Sequence, residues 1–229
     1  CYFIRRLKKI NIEIVFENEL FVILNKPNGL LVHSTDSSNE YTLRDFMIEN
    51  FNIKKVGDYG REGIVHRLDR VTSGLMICPI SFEAFNQLQE DFKKRKIKKK
   101  YKAIVQGSLK SKTGEINLPL IHSQTNRRKR EVGKNGREAI TRYKTISKTD
   151  SYTFLDIDLI TGRNHQIRAH FEYLKAPIAN DILYGAKKVN ELDQNTICLQ
   201  SYNIEFKLFD KDHKFSINEP DYFTSIMNM

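Results

Sequence analysis

Read as a pattern of apolar and polar positions, the chain alternates short strand-like and helix-like stretches without a regular βαβ repeat. IEIVFENELFVILNKPNG, beginning at Ile12, predicts two strands around Glu17-Asn18-Glu19, the second ended by a Lys26-Pro27-Asn28-Gly29 turn. Thr42–Asn50 predicts a helix. Leu75–Ile80 reads as a strand, and Ser81 as the N-cap of a helix with Phe82, Phe85, Leu88 and Phe92 along one stripe. Further on, Tyr101, Ala103 and Val105 share one face of a strand, with Lys102 and Ile104 on the other. Residues 152–160 alternate, Leu155, Ile157 and Leu159 against Asp156 and Asp158, as in a half-buried strand. Thr161-Gly162 then makes a turn. Thr161 or Asn164 is expected to cap a helix whose stripe is Ile167, Phe171 and Leu174.

Composition narrows what these elements serve. A length of 229 residues suits one main domain. Lys and Arg number 38 against 28 Asp and Glu, a formal charge of +10, and polyanions become the first partners to consider. No apolar run approaches the ~18 residues of a membrane span, and no secretory pattern opens the chain. A soluble, cytoplasmic protein is expected. Cys1, Cys78 and Cys198 are odd in number and far apart, which fits a reducing compartment and neither a disulfide framework nor a zinc ribbon. His165 and His170 are five apart, on different helix faces, so no metal site is expected there.

The charge is clustered. Lys93 to Lys102 is dense enough to be a solvated run, yet it joins a helix to a strand, and Lys98, Lys99 and Lys100 just before Tyr101 make a candidate nucleic-acid surface. A second cluster, Arg127, Arg128, Lys129 and Arg130, precedes a hairpin turn expected at 133–136 that leads into a strand. Such arginines would contact phosphates without reading sequence. Arg163 is open to two readings, an RNA contact or a structural bond at its turn. Arg168 adjoins the apolar stripe of its helix, an expensive place for a cation, and asks for a carboxylate partner. Residues 1–10, CYFIRRLKKI, read as a linker or short tail.

The most pointed stretch is GIVHRLDRVTSGLMIC, residues 63–78, where Asp69 stands between Arg67 and Arg70. A solvated charge cluster is the bland explanation. HRLDRVTSG is followed by KYKAIVQG and then TGRNHQIRAH, with NKPNGLLVH before them and GREAITRY and PIANDILYG in their places. Together they resemble the RluA-type pseudouridine synthases over essentially residues 11–229.

That resemblance implies an α+β catalytic domain, a mixed, mainly antiparallel sheet flanked by helices with an RNA-binding cleft. Residues 1–10 would be a linker or the remnant of an N-terminal RNA-binding module. It implies conversion of uridines in RNA to pseudouridine by a monomer without metal or organic cofactor. Asp69 matches the nucleophile, Tyr101 the tyrosine that stacks on the uracil and takes the carbon-5 proton, and Arg168 the arginine that pairs with the aspartate. Arg67 matches the residue that fills the space of the flipped base, while Arg70 and Arg163 complete the expected RNA contacts. PIANDILYG and HQIR resemble the branch acting on large-subunit (23S) ribosomal RNA. The alternatives are a tRNA or dual-specificity enzyme, a silent RNA-binding domain on this fold, and a metal-dependent hydrolase built on Asp156 and Asp158. Two positions depart from the usual pattern, Gln200 after Leu199 and Asn180 before Asp181. His66 and His165 are expected to hold backbone, not to act in catalysis.

Physical chemistry supplies a reason for the Asp69 and Arg168 pairing. A closed site pushes a carboxyl upward from about 3.9 by as much as 3–5 units, and a cation within about 4–6 Å opposes this. A guanidinium fork would also fix the orientation of the carboxylate.

Overall fold

The computed structural model describes residues 11–34, 40–53 and 55–229. The linker expected at residues 1–10 lies outside the described residues. In chain order the elements are β1 (Glu13–Glu17), β2 (Phe21–Lys26), α1 (Leu43–Asn50), β3 (Ser73–Pro79), α2 (Phe82–Lys93) and β4 (Lys98–Gln106). Next come β5 (Thr113–Asn117), β6 (Leu120–His122), β7 (Arg130–Val132), β8 (Ile140–Lys148), β9 (Tyr152–Leu159) and α3 (Gln166–Tyr173). A single 3-10 turn at Ile182–Tyr184 precedes β10 (Leu199–Leu208), β11 (Lys211–Ser216) and α4 (Asp221–Met227).

One sheet runs β1-β2-β3-β10-β4-β9-β8-β5, with β11 beside β10, while β6 and β7 form a separate hairpin. Pairings between these strands are antiparallel except β3 with β10, which is parallel at Ser73–Gln200 and Gly74–Ser201. This close approach explains Gly74. Its φ is +114°, and a Cβ there would sit 2.2 Å from the Ser201 carbonyl oxygen, so only glycine lets the chain leave Asp69 and enter the sheet.

The central strands are apolar on both faces because both are covered. Phe21, Ile23, Leu75 and Ile77 pack with Ala84 and Leu88 of α2. Val22, Leu24, Met76 and Cys78 belong to the opposite layer, with Met47 of α1, Phe171 of α3 and Phe223 of α4. Cys78 and Cys198 are buried free thiols. Among the described residues no helix is long and apolar enough to cross a membrane.

The caps follow local chemistry. Thr42 and Asp45 form a reciprocal capping box on α1, and Ser81 Oγ accepts from the Ala84 amide as expected. At α3 the expectation fails, since neither Thr161 nor Asn164 caps the helix. The N-cap is His165 at φ 55°, with no side-chain capping bond. Thr161 is instead used to fasten the turn to β8, accepting from the Ile140 amide at 2.8 Å and donating to Gln166 Oε1 at 2.8 Å. The expected amphipathic stripe is also too modest: Gln166 to Phe171 are all buried, Arg168 included. β4 begins inside the lysine run, three residues before Tyr101. The turn at 133–136 forms, with the Gly136 amide on the Gly133 carbonyl at 3.0 Å. It follows the β6–β7 hairpin, whose own connection carries Arg127 and Arg128.

Candidate active site

The segment that carries Asp69 is not in a strand, and its placement depends on what holds its flanks. On the C-terminal side Lys26, fully buried, donates from Nζ to the carbonyls of Pro27 and Leu30 at 2.9 Å and Arg70 at 3.2 Å. The Gly29 amide reaches the Arg70 carbonyl at 2.8 Å, and Asn28 Nδ2 the Val71 carbonyl at 2.6 Å. Burial brings the Lys26 pKa down to about 7. On the N-terminal side, His66 Nε2 accepts the Ile77 amide at 3.0 Å, and its ring stacks on Phe92 at 4.5 Å. Burial lowers the His66 pKa to about 3, so it is a neutral acceptor. The expectation that His66 holds backbone agrees with these bonds.

Between those anchors lies a cavity of about 600 Å³ lined by, among others, Arg67, Asp69, Lys99, Tyr101, His165 and Arg168. Arg168 Nη1 donates to Asp69 Oδ2 at 3.2 Å. The guanidinium fork, however, grips Asp181, with Nε to Oδ2 at 2.7 Å and Nη2 to Oδ1 at 2.9 Å. The expected bidentate grip on Asp69 is therefore corrected to a single bond. A buried arginine with five N–H groups needs more than one carboxylate, and Asp181 answers that need. Burial works to raise the Asp69 pKa, but the neighbouring His165 ring, Arg168, which also donates to it, and Arg67 outweigh this and hold the carboxyl below its ordinary value. Burial works against the Arg168 cation, and Asp181 and Asp69 more than restore it.

Tyr184 completes the arrangement. Its ring lies 4.8 Å from the Arg168 guanidinium. Its hydroxyl accepts from the Arg130 amide at 2.9 Å and lies 2.9 Å from His165 Nδ1, while His165 Nε2 faces Asp69 Oδ1 at 3.9 Å. Tyr101 is 6% exposed. Burial and the Asp69 charge raise its pKa, so it is a neutral phenol.

The basic candidates divide. Arg67 is exposed at the cavity, and Lys99 lines it with Nζ 5.6 Å from the Phe92 ring centroid. Burial lowers the Lys99 pKa to about 8. Lys98 is exposed, and Lys100 pairs with Asp158 at 3.4 Å on the other face of β4. Arg70 lies outside the cavity lining and is forked on Glu40 at 3.0 and 2.7 Å. Arg127 and Arg128 are exposed on the hairpin loop. Arg163 makes the structural bond that was one of its two readings, donating from Nε to the Glu138 carbonyl at 2.9 Å, and it also lines the cavity. With Arg130 and Arg137 it also lines an adjoining cavity of about 350 Å³ that has no carboxylate in its lining.

Asp156 and Asp158 meet Lys100 and Lys102, and Asp156 also accepts from the Tyr202 hydroxyl at 2.8 Å. Among the described residues no group of three His, Cys, Asp or Glu is placed to hold a metal.

The sequence profile of the RNA pseudouridylate synthase family matches residues 20–173, from β2 through α3. The chain belongs to that family. The ribosomal large subunit pseudouridine synthase D of Borreliella burgdorferi is 35% identical over 222 residues, covering 93% of this chain and 67% of that protein. The ribosomal large subunit pseudouridine synthase C of Buchnera aphidicola is 37% identical over 201 residues, 84% of this chain and 62% of that protein. The chain thus spans about two thirds of these relatives. The human RNA pseudouridylate synthase domain containing 4 shares the fold, with a TM-score of 0.74 at 24% identity over 92% of this chain. This pseudouridine synthase is therefore an enzyme that isomerises uridine in RNA.

The backbone also makes sense of Asn180. It stands at φ 65°, a backbone conformation that asparagine tolerates better than most residues. Its side chain donates to the carbonyls of Asp193 and Thr196 and accepts the Val189 amide. Asp181 and Tyr184 were not singled out in the sequence. The signal that pointed to them was the demand of Arg168 for a carboxylate, together with the otherwise unexplained DILYG segment.

Proposed function

We propose that this site isomerises uridines of large-subunit ribosomal RNA, with Asp69 as nucleophile. The observation that carries the reading is the half-buried, ionised Asp69 carboxylate, bonded to Arg168 and sharing one cavity with Tyr101. The printed names of the Borreliella and Buchnera relatives support the substrate class.

A base inside folded RNA must first leave its stack, at a cost of a few kcal/mol. Arg67, exposed at the cavity edge, fills the vacated space with its planar guanidinium. Tyr101 supports the uracil, worth about 1–3 kcal/mol. Asp69 attacks the anomeric carbon as the bond to N1 breaks, and the electron pair leaves with the uracil. The base turns, carbon 5 bonds to the sugar and Asp69 is released; the carbon-5 proton departs and a proton ends on N1. Lys99, Arg163 and the arginines of the hairpin meet the RNA backbone.

The test is tritium release from RNA labelled at carbon 5 of uridine, with unmodified large-subunit ribosomal RNA as substrate. Wild type should release tritium and Asp69→Asn should not. Equal release by both would remove the nucleophile assignment. Release from tRNA but not from ribosomal RNA would move the substrate.

A further inference from the structure

We propose that His165 is a positioning residue, held by the Tyr184 hydroxyl so that its Nε2–H is presented to Asp69 Oδ1, the carboxylate oxygen that Arg168 leaves open. The inference rests on the reading of Asp69 as nucleophile and adds a second, neutral donor to it.

The assignment follows from accounting for protons around one buried hydroxyl. Tyr184 is 1% exposed. Burial raises its pKa, so it keeps its proton. One lone pair accepts the Arg130 amide, and His165 Nδ1 is the other partner at 2.9 Å. If Nδ1 carried a hydrogen, the hydroxyl would accept twice and its own proton would be left unmatched in the interior, which folded proteins avoid. The hydroxyl therefore donates to Nδ1. Burial also lowers the His165 pKa against the pull of Asp69 and Asp181, with Arg168 and Arg130 facing the ring as well. A neutral ring has one N–H, and with Nδ1 occupied as acceptor it is Nε2, 3.9 Å from Oδ1. That gap is about 1 Å longer than a hydrogen bond, the kind of distance that tightens when substrate closes a site. Oδ2 is already taken at 3.2 Å. Two donors of different charge on the two oxygens define the plane of the carboxylate.

Asn and Gln separate this role from a backbone role. His165 sits at φ 55°, where Asn is well tolerated and Gln is not. A residue needed only for its backbone conformation is replaced better by Asn. The amide nitrogen of Gln falls where Nε2 stands, so a donor to Asp69 is replaced better by Gln.

The experiment measures kcat, KM and urea stability for His165→Ala, His165→Asn, His165→Gln and Tyr184→Phe, with ¹⁵N NMR of the histidine rings in wild type. Expected are a kcat loss of roughly 10- to 100-fold for His165→Ala at little changed KM, a similar loss for His165→Asn, and substantial recovery in His165→Gln despite its lower stability. Wild-type His165 should show the Nε2–H tautomer, and Tyr184→Phe a mixture. Better turnover by His165→Asn than by His165→Gln, or an Nδ1–H tautomer, would overturn the proposal while leaving Asp69 in place. Continued turnover by Asp69→Asn would instead overturn the reading beneath it.

Discussion

The two faces of β4 carry lysines one residue apart and use them in opposite ways. Lys100 and Lys102 point to the side where Asp156 and Asp158 of β9 wait, and their charges are matched pair by pair at 3.4–4.0 Å. Lys99 and Tyr101 point to the cavity that holds Asp69, and there the lysine is half-buried and desolvation draws its pKa down. The first arrangement is ordinary surface chemistry, worth about 0–1 kcal/mol per pair. In the second, loss of water makes each charge expensive and each partner consequential. Residue type is the same on both sides; the partners decide what it does.

The comparison breaks most readily at its deepest charge. Asp69→Asn should lower turnover by about 10⁴-fold or more while leaving RNA affinity largely intact, whereas Asp156→Asn should leave turnover within about twofold if a surface pair is worth under ~1 kcal/mol. Single-turnover assays with filter binding separate the two, and comparable losses in both would erase the distinction between the faces.

Arg168→Ala should cost about 3–5 kcal/mol of stability, because it strands Asp181 and Asp69 without their buried cation. Arg168→Lys should remain impaired, since an ammonium cannot serve both carboxylates with the geometry of a fork. Urea denaturation reads the first effect and steady-state kinetics the second. A fully active Arg168→Lys enzyme would contradict the shared-donor geometry.

Next in size is an acid effect. His66 has a folded pKa of about 3, well below its ordinary value near 6.5. The unfolded chain therefore takes up the proton first as pH falls. Its contribution is complete above about pH 6.5 and is lost on the way down towards 3, amounting to about 3 kcal/mol between pH 7 and pH 4. His66→Gln should show a smaller difference between unfolding curves at those two pH values, and an unchanged difference would assign the acid lability elsewhere.

The smallest effect sharpens the comparison itself. Lys99→Ala should reduce the salt slope of RNA binding by about 1, the signature of one phosphate contact, and Lys100→Ala should not. Wild-type affinity should weaken as pH rises through about 8, where Lys99 loses its charge. Equal salt slopes for the two variants would mean that both faces, or neither, meet RNA.

Alternation by face made β4 and β9 legible, and turn residues bounding short apolar runs did the same for β1 and β2. The Ser81 cap and the Thr42 helix start were legible for the same local reason. Asp69 and Tyr101 could be singled out from ordered motifs, and the structure places them in one cavity. What escaped was whatever depends on partners distant in the chain. Treating Lys98, Lys99 and Lys100 as one surface ignored the strand that runs through them. Lys26 looked like a turn residue because a lysine in a sequence carries no sign that three carbonyls will surround it. Asp181 and Tyr184 lie in a stretch with no periodicity, held by individual bonds such as those of Asn180, and pattern reading has no purchase there.

The clasp made by Lys26 bears on where the binding energy of RNA goes. A flexible segment around Asp69 would have to be frozen as each substrate arrived, at about 1–2 kcal/mol per residue of backbone. Here three hydrogen bonds already join residues 26–30 to 70–71, two more tie Lys26 to its own turn, and that ordering was completed when the chain folded. Affinity won at the phosphates is left over for the harder task of drawing one uridine out of its stack.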